Sequence, residues 1–209
     1  MSQAADSLQA AVAHASYTTL TELSRFEQDV KKSRFLVIAA AVTQPDEALA
    51  FFKAHHVPEA SHNCWAYKIG TSYRFNDDGE PGGTAGKPIL QAIEGQGLDG
   101  VAVLVVRWFG GVKLGAGGLV RAYGGSAAQC LRAALKREVI ATRSIRFVCN
   151  YADQGSVRQR LQHADARDIL AEFDTTWVRM SAQVPLDRLA ELEMAIADIT
   201  RGKSEWQQD

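Results

Sequence analysis

Residues 101–125 read VAVLVVRWFGGVKLGAGGLVRAYGG, and the way this pattern changes along its length decides the fold. Val101–Val106 is an unbroken apolar run of strand length, as expected of a strand covered on both faces. The segment RWFGGVKLGAGG is too glycine-rich for regular structure and reads as a loop. Leu119–Lys136 then reads as the longest helix of the chain. At about 100° per residue, Tyr123, Ala127, Cys130, Leu131 and Ala134 share one side of it. Arg121, Arg132 and Lys136 fall within about 60° of one another on a different side. Gly124, Gly125, Ser126, Ala127 and Ala128 are small enough to let the helix lie close on a sheet. The glycines cost it roughly 1 kcal/mol each against alanine.

A glycine-rich loop that opens into a helix is a ready anion site, because the first-turn N–H groups have no partners within the helix. Gly110, Gly111, Gly115, Gly117 and Gly118 let backbone approach a ligand, and Arg107, Lys113, Arg121, Arg132 and Lys136 supply charge. These ten residues are the candidate anion or nucleic-acid surface. The same glycines equally suit tight packing of helix on sheet. The spacing matches neither GxxxxGK[ST] nor GxGxxG.

Upstream, Asn76–Gly86 (NDDGEPGGTAG) reads as a loop carrying Asp77, Asp78 and Glu80. Paired carboxylates of this kind hold a divalent cation, work as acid and base, or bond to their own backbone in a turn. The spacing is not that of an EF-hand, and no metal site is assigned. Asn63–Gly70 reads as a strand with Tyr73–Phe75 as a short partner. On it His62 and Cys64 point to one face, with Trp65 and Tyr67 on the other as core. Nothing in the sequence supplies the third group that Cys–His catalysis needs, so the pair is read as structural. Leu20–Val30 and Ser33–Val42 read as strands, and Pro45–His56 and Lys87–Gly95 as helices. No catalytic residue and no cofactor is expected.

Downstream the pattern restarts near Val139–Thr142, which divides the chain into residues 1–139 and 140–209. Strand Arg143–Asn150, helix Gln154–Ala164 capped by Asp153, strands Arg167–Phe173 and Thr176–Val184, helix Pro185–Ile199 and strand Lys203–Trp206 give the order βαββαβ of a ferredoxin-like plait. Charge is divided too. Residues 101–146 carry eight bases against one acid, and residues 150–209 carry seven bases against eleven acids, although the whole chain is near neutral at −1. The three cysteines form no C-x-x-C pair, which speaks against a disulfide scaffold or zinc site and fits a reducing, cytoplasmic setting. Residues 1–16 have neither a basic n-region nor a long apolar run. They are expected to form a short frayed or helical leader rather than a signal peptide or membrane anchor.

Three strings in order, HNCWAYKIG, FNDDGEPGGTAGKPILQAI and VLVVRWFGGVKLGAGGLVRAYGG, closely resemble the bacterial, YigZ-like form of the IMPACT family. The resemblance extends over essentially the whole chain. Trp65 and Trp108 stand where tyrosine is usual. The resemblance implies an α+β protein, with an N-terminal domain like domain two of ribosomal protein S5 and a C-terminal ferredoxin-like domain. Both superfamilies include nucleic-acid binders, and eukaryotic family members are linked to translational control through an additional N-terminal domain, for which the leader here is too short.

The expected function is therefore non-catalytic binding of RNA or a ribosome-associated factor, in the setting of translational regulation. Trp108, Phe109 and Tyr123 are candidate stacking surfaces. The alternative is an enzyme acting on a phosphorylated small molecule held at the glycine-rich loop. A pocket lined by Asp77, Asp78 and Lys113 would favour the enzyme, and an open basic face the binder. The acidic C-terminal domain is a further candidate surface for a protein partner.

Overall fold

The computed structural model describes residues 16–207, so the expected leader lies outside the described residues. The chain divides into two compact units, one of Tyr17–Val139 and one holding Ile140–Asp209. In the first, the elements in order are β1 (Ser16–Leu20), β2 (Ser24–Val30), β3 (Ser33–Ala41), α1 (Pro45–His55), β4 (His62–Ile69), β5 (Ser72–Asn76), α2 (Gly86–Glu94), β6 (Val101–Trp108), α3 (Ala116–Ala133) and β7 (Lys136–Ile140). Five strands form one antiparallel sheet in the order β2-β3-β6-β4-β5.

β6 is the central strand, and that explains its unbroken apolar run. Val101, Val103 and Val105 face α2 and α3, packing with Phe35, Ile89, Ile93, Ala127 and Leu131. Ala102, Leu104 and Val106 face α1, packing with Ala48, Phe52 and Tyr67. The sheet is thus covered on both sides, by two helices and by one. α1 begins with Pro45 at its first turn, followed by Asp46 and Glu47, where the fixed proline φ and the helix dipole favour them.

Several expectations need correction here. The segment expected as one strand, Leu20–Val30, is broken at 21–23: Leu20 closes β1, which pairs with β7 in a separate two-stranded sheet. β7 itself was not foreseen. The long helix starts earlier and ends earlier than its apolar pattern indicates, so Lys136 lies in β7 and not on α3. The small residues of α3 do not all serve the sheet, because a Cβ on Gly124 would meet Pro88 of α2, so the close approach there is helix to helix.

The second unit comprises β8 (Thr142–Cys149), α4 (Tyr151–His163), β9 (Arg167–Phe173), β10 (Val178–Pro185), α5 (Leu186–Thr200) and β11 (Glu205–Gln207). Its sheet runs β11-β8-β10-β9 with antiparallel neighbours, the strand order of a ferredoxin-like plait. Alternate residues of β10 (Val178, Met180, Ala182, Val184) are buried with Val157, Leu161, Leu192 and Ile196 of the helices. The N-cap of α4 is Asn150, not Asp153, which sits in the first turn. Among the described residues no helix is long and apolar enough to cross a membrane.

Candidate functional site

Three separate stretches of sequence converge on one carboxylate. Glu80 is buried in the loop between β5 and α2, and its Oε1 accepts hydrogen bonds from Arg107 Nη1 at 2.5 Å and from the Tyr123 hydroxyl at 2.7 Å. His62 Nε2 stands 3.7 Å from the same oxygen. Arg107 is carried by β6, Tyr123 by α3 and His62 by β4, so the ion pair ties the loop to both walls of the core. Arg107 also donates to Ser33 Oγ at 3.2 Å, and its guanidinium lies over the rings of Phe35 and Phe109 at 5.6 and 5.5 Å. Its Nε is buried and has no hydrogen-bond partner among the described residues.

The two aspartates are equally engaged. Asp77 accepts the N–H groups of Gly83, Ala85 and Gly86, which pins the loop and satisfies the start of α2. Asp78 Oδ2 accepts the N–H of Asn63 at 2.6 Å, and the Asp78 carbonyl bonds His62 Nδ1 at 2.8 Å. Among the described residues no cluster of three or more His, Cys, Asp or Glu side chains is placed to hold a metal ion. Cys64, beside them, donates to the Asp77 carbonyl, and burial pushes its thiol up to about 12. Burial likewise raises the Tyr123 phenol. Both therefore remain protonated at neutral pH and are weak nucleophiles.

Of the ten residues expected on an anion surface, Arg107 is not available: it is 4% exposed and paired with Glu80. Lys136 is exposed, but its ammonium donates to the carbonyls of Arg132 and Ala134 at the end of α3, the favourable place for a cation on a helix. Tyr123 is fully buried and offers no stacking surface, whereas Phe109 is 48% exposed. Trp108 is half-buried under the Arg34 guanidinium, 4.8 Å from its ring centre.

What is left open lies at the start of α3. Gly110 brings the loop against the β2–β3 turn so closely that a Cβ there would fall 1.8 Å from the Lys32 carbonyl oxygen. Gly115, at φ 73° and ψ 164°, turns the chain into the helix with no side-chain cap, a conformation that favours glycine. Gly111, Lys113, Gly117, Gly118 and Arg121 surround this opening, all exposed except the half-buried Gly118. A cleft of about 290 Å³ beside it is lined by Gln28, Lys31, Leu114, Gly118, Arg121 and Gln129 among others, with no carboxylate in its wall. Arg132 is exposed further along α3. Glu80 of the β5–α2 loop is linked to this region through Arg107 and Tyr123. Lys31 was not singled out from the sequence, since a lysine in a two-residue turn carries no motif.

Residues 31–131 match the Impact N-terminal domain, and residues 147–203 match a domain of unknown function, DUF1949. The chain is 46% identical over 177 residues to an IMPACT family member in the pol 5' region of Thermus thermophilus, covering 83% of this chain and 97% of that protein. It is 34% identical to IMPACT family member YigZ of Escherichia coli, covering 84% and 89%. A crystal structure described as a hypothetical protein superposes with a TM-score of 0.64 at 32% identity, covering 93% of this chain and 98% of that one.

Proposed function

The chain belongs to the IMPACT family, and from that premise we propose that it is a non-catalytic binder of nucleic acid or of a ribonucleoprotein, acting around translation through the face where α3 begins. One observation carries the reading: the helix start has no side-chain cap and lies three residues after exposed Lys113, and the adjoining cleft is lined by Lys31 and Arg121 with no carboxylate among its described lining residues. Cations with no ion pair among the described residues, next to the backbone N–H groups of a helix start, suit phosphate. Arg132 extends the same side of the helix. Exposed Phe109, on the loop leading into α3, adds a ring for a base to stack on.

The enzymatic alternative is less well supported. It calls for Asp77, Asp78 and Lys113 around one pocket, whereas Asp77 is occupied by three backbone N–H groups and Asp78 lines a cleft that Lys113 does not reach.

The test is a salt series with labelled single-stranded RNA, comparing wild type with Lys113→Ala/Arg121→Ala. Binding should fall with salt, and the slope of log K should flatten by about 0.7 per lost phosphate contact. No wild-type binding at low salt, or equal slopes for the two proteins, would count against the proposal.

A further inference from the structure

On the opposite face of the sheet, an open cleft of about 480 Å³ lies between α1 and β4. That volume is in the range of small-molecule sites. Leu104 of β6 lines it, with Phe52 and Trp65 as an aromatic wall, their rings 4.6 Å apart and 19° from parallel. Leu49 and Pro58 add apolar surface. Trp65 is only half-buried, between Phe52 and the parallel ring of Tyr67 6.4 Å away, so a further flat group can meet the part of its ring that stays open.

The polar groups here are few, and they differ in what they have left to offer. Asn63 spends its side-chain amide on Val57, accepting from its N–H at 2.9 Å and donating to its carbonyl at 3.0 Å. Asp78 uses Oδ2 for the Asn63 N–H, and its Oδ1 takes no hydrogen bond among the described residues. Lys53 and His56 complete the lining. The cleft therefore offers a flat apolar slot beside an exposed carboxylate oxygen and an exposed lysine, which can receive a donor and an anion.

We propose that this cleft binds a purine nucleotide, with the base beside Trp65, ring N–H donors on Asp78, and the phosphate toward Lys53. A purine nucleotide joins a flat ring, adjacent N–H donors and an anion in one molecule. Guanine fits Asp78 better than adenine, because its amide N–H and exocyclic amine lie side by side. The inference stands apart from the α3 surface, which lies across the sheet.

Calorimetric titration with GMP, AMP, ribose 5-phosphate and inorganic phosphate tests it. GMP should bind, and Asp78→Asn, which keeps an acceptor for the Asn63 N–H, should weaken it by roughly tenfold or more. Lys53→Ala should weaken it by about threefold. Absence of binding by either nucleotide, ribose 5-phosphate binding as tightly as GMP, or unchanged affinity in Asp78→Asn overturns the proposal. A short single-stranded RNA ending in guanosine separates the two sources: binding about tenfold tighter than GMP that Asp78→Asn weakens by the same factor as it weakens GMP assigns the slot to RNA, and RNA binding indifferent to Asp78→Asn assigns it to the free nucleotide.

Discussion

Replacing Glu80 with glutamine tests whether one ion pair holds the N-terminal unit together. The Glu80 and Arg107 side chains are 4% and 5% exposed, so removing the carboxylate charge leaves a guanidinium buried without compensation. Breaking a buried pair from one side costs about 3–5 kcal/mol. At roughly 2–4 °C per kcal/mol for a chain of this size, the first thermal transition should fall by about 10 °C. Replacing both partners, Glu80→Leu with Arg107→Met, removes both buried charges, so the double variant should be more stable than the sum of the single losses by at least about 1 kcal/mol. Urea denaturation followed by circular dichroism gives all four corners of the cycle. A loss below about 1 kcal/mol in Glu80→Gln, or additive single losses, would refute the argument that this pair is the tie between loop, sheet and helix.

Tyr123→Phe removes one donor to the same carboxylate and should cost about 1.5–3 kcal/mol in the same assay. Gly110→Ala should prevent folding or cost more than about 4 kcal/mol, because its Cβ would overlap the Lys32 backbone; the yield of folded protein and its melting temperature decide this. All three thiols are buried and raised by burial, so none should react with a thiol reagent at pH 8 until the chain is unfolded. The folded state holds the Cys64 proton where the unfolded chain releases it. Stability is therefore intact below about pH 8.5–9 and declines as pH rises toward 12, by up to about 1.4 kcal/mol per unit for this group; Cys64→Ala should reduce that slope in urea midpoints measured from pH 8 to 10.5. Residues 16–140 and 141–207, expressed separately, should each unfold in one cooperative transition, and an unfolded fragment would show that the two units depend on each other.

The plait of the second unit was legible in the order and spacing of its segments, because β10 alternates buried and half-buried residues and α5 keeps an apolar stripe. The central strand was legible for the opposite reason: two-sided burial leaves no polar position in VAVLVV. Arg107 was misread as surface charge beside the glycine-rich loop. It continues the face of Val101, Val103 and Val105, which points toward α3, so an arginine there is committed to the interior and requires an acid; Glu80 was the available loop carboxylate. Lys136 was misplaced because helical periodicity runs on past the point where pairing with β1 captures the chain. The cleft at Trp65 was not legible, since its walls come from four segments brought together only by the sheet order.

The strand order of the C-terminal plait also has a consequence for synthesis. β8 is flanked by β10 and β11, and β11 follows β8 by more than fifty residues. At ribosomal rates of about 5–20 residues per second, one edge of β8 stays unsatisfied for roughly 3–11 s after it is made. During that window the nascent chain presents a bare strand edge bearing Phe147, the kind of template on which neighbouring chains pair. The N-terminal unit meets the same delay, since β3 ends at Ala41 and its neighbour β6 begins only at Val101, so a chaperone that covers such edges should raise the yield of both units.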